Sequence, residues 1–123
     1  MKTSINHYGI SCLPKPVLEE RPLLTSQEST ALTAIFKILA NETRLRLLHA
    51  LVKAGELCVS DLEEIMNMKI QAVSNQLQIL AGRGIIVSRR NGNNIYYRIL
   101  DPCVISLLGH GLCLSEDTIE KIK

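Results

Sequence analysis

Apolar residues along this chain recur at helical spacing, and they change to a two-residue period in only one region. Leu32, Ile35, Phe36 and Leu39 repeat at three- and four-residue steps, and Thr25-x-x-Glu28 ahead of them reads as a capping box. Asn41 is placed to cap a second helix, which carries Leu45, Leu48, Leu51 and Val52 on one face and stops at Gly55. Ser60-x-x-Glu63 predicts the start of a third, short helix through Leu62, Ile65 and Met66. A fourth runs from about Lys69 to Ala81, with Ile70, Val73, Leu77 and Leu80 inward and Gly82 and Gly84 at its end. The period then changes. Ile85-Ile86-Val87 and Ile95-Tyr96-Tyr97-Arg98-Ile99 are strand-like runs either side of Asn91-Gly92, a hairpin with a basic, asparagine-rich tip. Asp101-Pro102 opens a last helix containing Val104, Ile105, Leu107, Leu108 and Leu112.

This order, with a short turn between the third and fourth helices, predicts a mainly α fold with a β-hairpin wing: a winged helix-turn-helix. In that arrangement the fourth helix enters the DNA major groove and the hairpin reaches flanking phosphates. Pro14, Pro16 and Pro22 and weak periodicity make residues 1–24 a flexible N-terminal arm. Residues 25–114 form the DNA-binding and dimerisation domain, and 115–123 a frayed, charged tail. The first and last helices hold more aliphatic surface than one small core hides, which predicts a homodimer formed through them.

Composition sharpens this picture. Of 123 residues 46% are apolar, yet Phe36 and three tyrosines are the whole aromatic content, so Leu and Ile must make the core. That favours packed helices over a β-sandwich. No apolar run reaches the roughly 20 residues of a membrane span and no signal peptide is recognisable, which predicts a cytoplasmic protein. Four cysteines in that compartment are expected as thiols, not disulfides. The net charge of +2 hides an asymmetry. Residues 69–100 hold Lys69, Arg83, Arg89, Arg90 and Arg98 and no acid, while the segments on either side are slightly acidic. A basic stretch of that kind is a footprint for a polyanion. No phosphate-cradling glycine loop, nucleophile elbow or catalytic histidine constellation is present, so no enzyme and no catalytic cofactor is expected.

The residues from Phe36 to Leu48, FKILANETRLRLL, resemble the opening signature of the ArsR/SmtB family of metal-responsive repressors. Glu56-Leu57-Cys58-Val59-Ser60-Asp61-Leu62 is similar to that family's cysteine box. Ala72-Val73-Ser74-Asn75-Gln76-Leu77, Gly84-Ile85-Ile86, and Gly92 before Tyr96-Tyr97-Arg98 extend the resemblance over about residues 30–112. It implies a homodimer that represses a resistance operon and leaves duplex operator DNA when an inducer binds. For DNA, the exposed polar residues of the fourth helix are Gln71, Ser74, Asn75 and Gln76, where Asn and Gln offer a donor–acceptor pair to adenine. Lys69, where the family usually has a capping Ser, and Arg89, Arg90, Asn93 and Asn94 of the wing are phosphate or groove contacts.

For sensing, the resemblance implies two site types. One joins the arm of one subunit to the third helix of the other; its matches are Cys58 and Asp61, with Cys12 as the arm's sulfur and His7 as a further ligand. Such a set suits zinc, cadmium, lead or trivalent arsenic. The other straddles the last helices of the dimer; its matches are Asp101, Cys103 and Asp117, with Leu114 where the family places a histidine. Cys103 and Cys113 of one helix lie ~15 Å apart, too far to chelate within a subunit. The expectation is therefore that Cys58 with Cys12 senses the inducer and that Cys103 with Cys113 does not. The same fold acting as a thiol redox or persulfide sensor remains the alternative, since Cys58 sits beside a helix N-terminus.

Overall fold

The computed structural model describes Ser4–Ile5, Ser11–Cys12 and residues 17–122, with side chains over 17–118. Ser4–Ile5 (β1) pairs antiparallel with Ser11–Cys12 (β2), placing Ser4 opposite Cys12, and Leu18–Glu20 form a 3-10 turn, so parts of the segment read as an arm carry regular structure. The helices are α1 (Ser26–Leu39), α2 (Glu42–Ala54), α3 (Val59–Met66), α4 (Ile70–Gly82) and α5 (Pro102–Ile122). A three-stranded antiparallel sheet has the order β3 (Leu57–Cys58), β5 (Asn94–Ile99), β4 (Ile86–Asn91). This is a winged helix-turn-helix.

Local chemistry sets most of the helix ends. The Thr25 hydroxyl accepts from the Glu28 N–H at 3.1 Å and Glu28 accepts from the Thr25 N–H at 2.9 Å, a complete capping box. Asn41 Oδ1 accepts from the Arg44 N–H at 3.0 Å, and Gly55 closes α2 at φ +86°, a conformation that suits glycine. The turn of the helix-turn-helix is made by Asn67 at φ +52°, with the Met68 N–H returning to the Glu63 carbonyl at 3.2 Å. Asparagine tolerates that left-handed geometry, so α3 stops there and α4 starts three residues later.

Two boundaries differ from the sequence reading. The third helix begins at Val59 with Cys58 as its cap and Asp61 at the third position, so the box is Cys58-x-x-Asp61 and not Ser60-x-x-Glu63. The cause is long-range: Leu57 and Cys58 pair with Tyr97 and Tyr96, and the chain passes from strand to helix with no linker. The last helix also continues to Ile122, through most of the stretch read as a frayed tail.

The core is aliphatic. Leu47, Leu48 and Leu51 of α2, Leu62 of α3, Leu77 and Leu80 of α4, and Ile86 and Ile99 of the wing are fully buried, each contributing about 1.5–3 kcal/mol. Recognition helix and wing therefore share one core. By contrast Leu32, Phe36, Leu112 and Leu114, on the first and last helices, are exposed in the single chain.

Two consequences are measurable. Leu77→Ala should destabilise the protein by about 2–5 kcal/mol in chemical denaturation, because it opens a cavity between α4 and the wing. The capping box holds the Glu28 carboxyl below its ordinary value of 4.5, chiefly through the Thr25 N–H. A lowered folded value means that its stabilisation is full above 4.5 and is lost as pH falls through that lowered value. The stability gap between wild type and Glu28→Gln should accordingly be constant at neutral pH and close under acid, as read by urea unfolding across a pH series.

Candidate nucleic-acid interface and thiol sites

α4 turns Val73, Leu77 and Leu80 into the core, which leaves a polar stripe outside. Gln71 and Asn75 are both exposed, and Gln71 Nε2 donates to Asn75 Oδ1 at 3.0 Å. The bond fixes the two side chains against one another and leaves the Asn75 amide donors and the Gln71 carbonyl for a ligand. Exposed Gln78 continues the same stripe three residues beyond Asn75, and the seven-residue helical step from Gln71 would have found it. Lys69 is exposed at the N-cap and makes no capping bond, so the first N–H groups of α4 have no side-chain acceptor there. Ser74 is half-buried. Gln76 is half-buried too and faces inward, where its Oε1 accepts from Arg44 Nη1 at 3.1 Å.

The wing is a two-residue hairpin. Asn91 pairs with Asn94, and Gly92 takes φ +65° at the first turn position, which only glycine adopts without strain. Asn93 and Asn94 are exposed at its tip, beside exposed Arg90. Arg89, read from sequence as another phosphate contact, is engaged within the protein. Its Nε lies 2.8 and 3.0 Å from the two Glu56 carboxylate oxygens, its Nη2 lies 2.6 Å from one of them, and its guanidinium carbon sits 5.1 Å from the centre of the Tyr96 ring. The Glu56 hydrogen bonds raise its pKa further. Glu56 was not singled out from sequence, because nothing in its spacing announces a partner thirty-three positions away.

The thiols fall into two settings. Cys58 is 7% exposed. Its Sγ donates to Asp61 Oδ2 at 3.1 Å and lies 3.2 Å from Ser60 Oγ, while its N–H donates to the same carboxylate at 3.4 Å. Cys58 and Asp61 are thus brought together. The Cys12 side chain and all of His7 lie outside the described residues. Cys103 and Cys113 are exposed on α5, and among the described residues neither forms a disulfide. Asp101 Oδ1 accepts from the Cys103 N–H at 2.8 Å, capping the helix. Asp117, fourteen residues further on, stands ~21 Å along the axis from Cys103 and is not joined to it within one protomer. Cys103, Ser106, His110, Cys113 and Asp117 are all exposed and fall within an arc of about 80° at 100° per residue, opposite buried Val104 and half-buried Leu108. Among the described residues no group of three or more His, Cys, Asp or Glu side chains is gathered to hold a metal within one protomer. No helix among them is long and apolar enough to cross a membrane.

Comparison with known proteins agrees with this architecture. Residues 41–88, from the start of α2 into β4, match the family described as bacterial regulatory protein, arsR family. The chain is 30% identical over 111 residues to the cadmium resistance transcriptional regulatory protein CadC of Listeria innocua, covering 89% of this chain and 93% of that one. It shares 56% identity and a TM-score of 0.75 with the crystal structure of the AntR antimony-specific transcriptional repressor, covering 89% of this chain and 98% of that chain. The solution structure of a homodimeric winged helix-turn-helix DNA-binding domain from Mycobacterium bovis, at 26% identity and a TM-score of 0.67, covers 79% of this chain and 92% of that chain. The recognition helix and wing are those of a DNA-binding transcriptional regulator, and the chain belongs to the ArsR family.

Proposed function

We propose that this protein represses transcription by holding operator DNA as a homodimer, and releases it when a thiophilic metalloid or metal ion joins cysteines of two subunits. The exposed α5 stripe carries the reading. Cys103 and Cys113 lie five residues either side of Leu108, and Ser106 and His110 two residues either side. Two copies of α5 crossing antiparallel at the level of Leu108 would set each Cys103 against Cys113 of the partner subunit, with Gly109 at the edge of the stripe permitting close approach. The relatives named for antimony and cadmium resistance favour a soft inducer. A trivalent metalloid hydroxide would exchange two hydroxides for two thiolates, each thiol proton leaving with hydroxide as water. The exposed Leu114, some ~20° round the helix from Cys103, and Phe36 of α1 supply apolar surface for the same dimer.

A second reading keeps the sensor at Cys58 and Asp61, completed by Cys12 and His7 of the partner's arm. The 3.1 Å between Cys58 Sγ and Asp61 Oδ2 supports it, since two donors so close could share a zinc, cadmium or lead ion in place of the thiol proton. Against it stand the burial of Cys58 and its part in the helix cap. An inducer there would have to open the start of α3.

One titration separates these readings. DNA-bound protein is followed by fluorescence anisotropy against trivalent antimony, arsenite, Cd²⁺, Zn²⁺, Pb²⁺ and a mild oxidant. Antimony or arsenite should weaken operator binding on the order of 5–150-fold, the usual range of such coupling. Cys103→Ser and Cys113→Ser should each abolish the response with DNA affinity intact, and Cys58→Ser should retain it. Loss only in Cys58→Ser moves the sensor to the α3 site, and release by oxidant alone makes the protein a redox sensor.

The wing predicts a second result. Arg90 is exposed and unclamped by Glu56, so Arg90→Ala should flatten the slope of log K against log [salt] by about 0.9, the value for one phosphate. Arg89→Ala should change it less, because Glu56 already holds that guanidinium. Equal changes in both variants would show that Arg89 leaves Glu56 for the DNA.

A further inference from the structure

Arg44 belongs to α2, yet its bonds reach two other helices. Its Nε donates to the Ile38 carbonyl at 2.7 Å, and its Nη1 donates to Gln76 Oε1 at 3.1 Å. Its own N–H is held by Asn41 at 3.0 Å. Ile38 is the penultimate residue of α1, so its carbonyl is one of those that a helix end leaves without an intrahelical partner. Gln76 lies in the middle of the recognition helix, and its side-chain carbonyl oxygen accepts from Arg44. The side chain is half-buried, which makes these bonds stronger than their exposed equivalents. The planar guanidinium presents donors at fixed angles, as a lysine ammonium does not.

We infer that Arg44 is a positioning residue for operator recognition, a strap that sets the recognition helix α4 against the end of the first helix α1 by holding Gln76. Gln76 is then a structural anchor of the recognition helix and not one of its base readers. α1 carries exposed Leu32 and Phe36 and is one of the two helices of the proposed dimer, so the strap ties the dimer-facing part of each subunit to the part that meets DNA. The placement of the two recognition helices, and with it the half-site spacing the dimer accepts, depends on that tie. A base-reading residue would act differently, changing preference at its own base pair and leaving spacing alone.

The inference rests on the DNA-binding reading above, and the test keeps the two apart. Wild-type protein first selects a duplex from a random-sequence pool. Affinities of wild type, Arg44→Ala, Arg44→Lys, Gln76→Ala and the Arg44→Ala/Gln76→Ala double variant are then measured on that duplex, on a scrambled duplex, and on the selected duplex with one base pair inserted between half-sites. Arg44→Ala and Gln76→Ala should each reduce the preference for the selected over the scrambled duplex about tenfold, the scale of one charge-assisted hydrogen bond. Each should also narrow the gap between the native and inserted spacing. The double variant should lose no more than either single one, and scrambled-duplex affinity and its salt slope should stay as in wild type. Arg44→Lys should fall between. If Arg44→Ala does not fold, Gln76→Ala, which leaves the Ile38 bond in place, gives the same readout on spacing. Loss of preference in Gln76→Ala without change in spacing, or losses that multiply in the double variant, would overturn the strap. Wild-type protein that binds no duplex would overturn the DNA-binding reading itself.

Discussion

At Leu57 and Cys58 the chain is shared by a sheet and a helix. Both residues pair with Tyr97 and Tyr96 of the wing, and the very next residue begins α3. The Cys58 N–H finds its acceptor in Asp61, inside the helix it caps. The wing and the helix-turn-helix are consequently joined through a single dipeptide without slack. Leu57, Leu62, Ile86 and Ile99 then bury the joint against Leu48, Leu51 and Leu77 of the helical core. Any change in the angle between wing and recognition helix would have to break strand pairing or open this packing, so a protomer offers DNA a nearly fixed shape.

Polar links refine that shape at the places where packing leaves freedom. Arg44 governs how α4 lies against α1, and Glu56 governs where Arg89 and the base of the wing lie. The Glu56–Arg89 pair is exposed and contributes little to stability, yet its two-pronged geometry and the Tyr96 ring beneath it define one orientation. Of the two arginines, Arg89 belongs to the basic stretch that composition alone would assign to DNA. In this protein part of the positive charge is spent internally, and Arg90 and Lys69 are left as the unclaimed cations nearest to the wing tip and the start of the recognition helix.

How much of this was legible in the sequence follows the range of each interaction. The Thr25 and Asn41 caps, the Gly55 stop and the Gly92 hairpin depend on residues within four positions of one another, and the pattern of the chain shows them. The strand at Leu57–Cys58 is two residues long and has no period of its own; only its partner forty positions away makes it a strand. For the same reason the box at Ser60 looked better than the one at Cys58, since cysteine is an unusual cap and the pairing that forces the helix to start early is non-local. The exposed pair Gln71 and Asn75 was readable from helical spacing. That Gln76 turns inward was not, because Arg44 lies thirty-two residues away and nothing local distinguishes one polar helix position from the next.

A stiff protomer limits how an inducer can act. If wing, recognition helix and core move together, a ligand cannot release DNA by bending one subunit slightly; it must change the relation between two. In the proposed dimer such a relation would be made through α1 and α5, which carry exposed Leu32, Phe36, Leu112 and Leu114, and the exposed thiols of α5 would lie there too. Two recognition helices must meet half-sites about one helical turn, roughly 34 Å, apart, so a small rotation at the dimer seam becomes a large misplacement at the groove. In the proposed mechanism a metal–sulfur bond across the seam would supply such a rotation, with bond energies well above those of side-chain packing. The buried Cys58 lies at the joint between wing and helix-turn-helix, whereas Cys103 and Cys113 lie exposed on α5, the surface on which the proposed lever would turn.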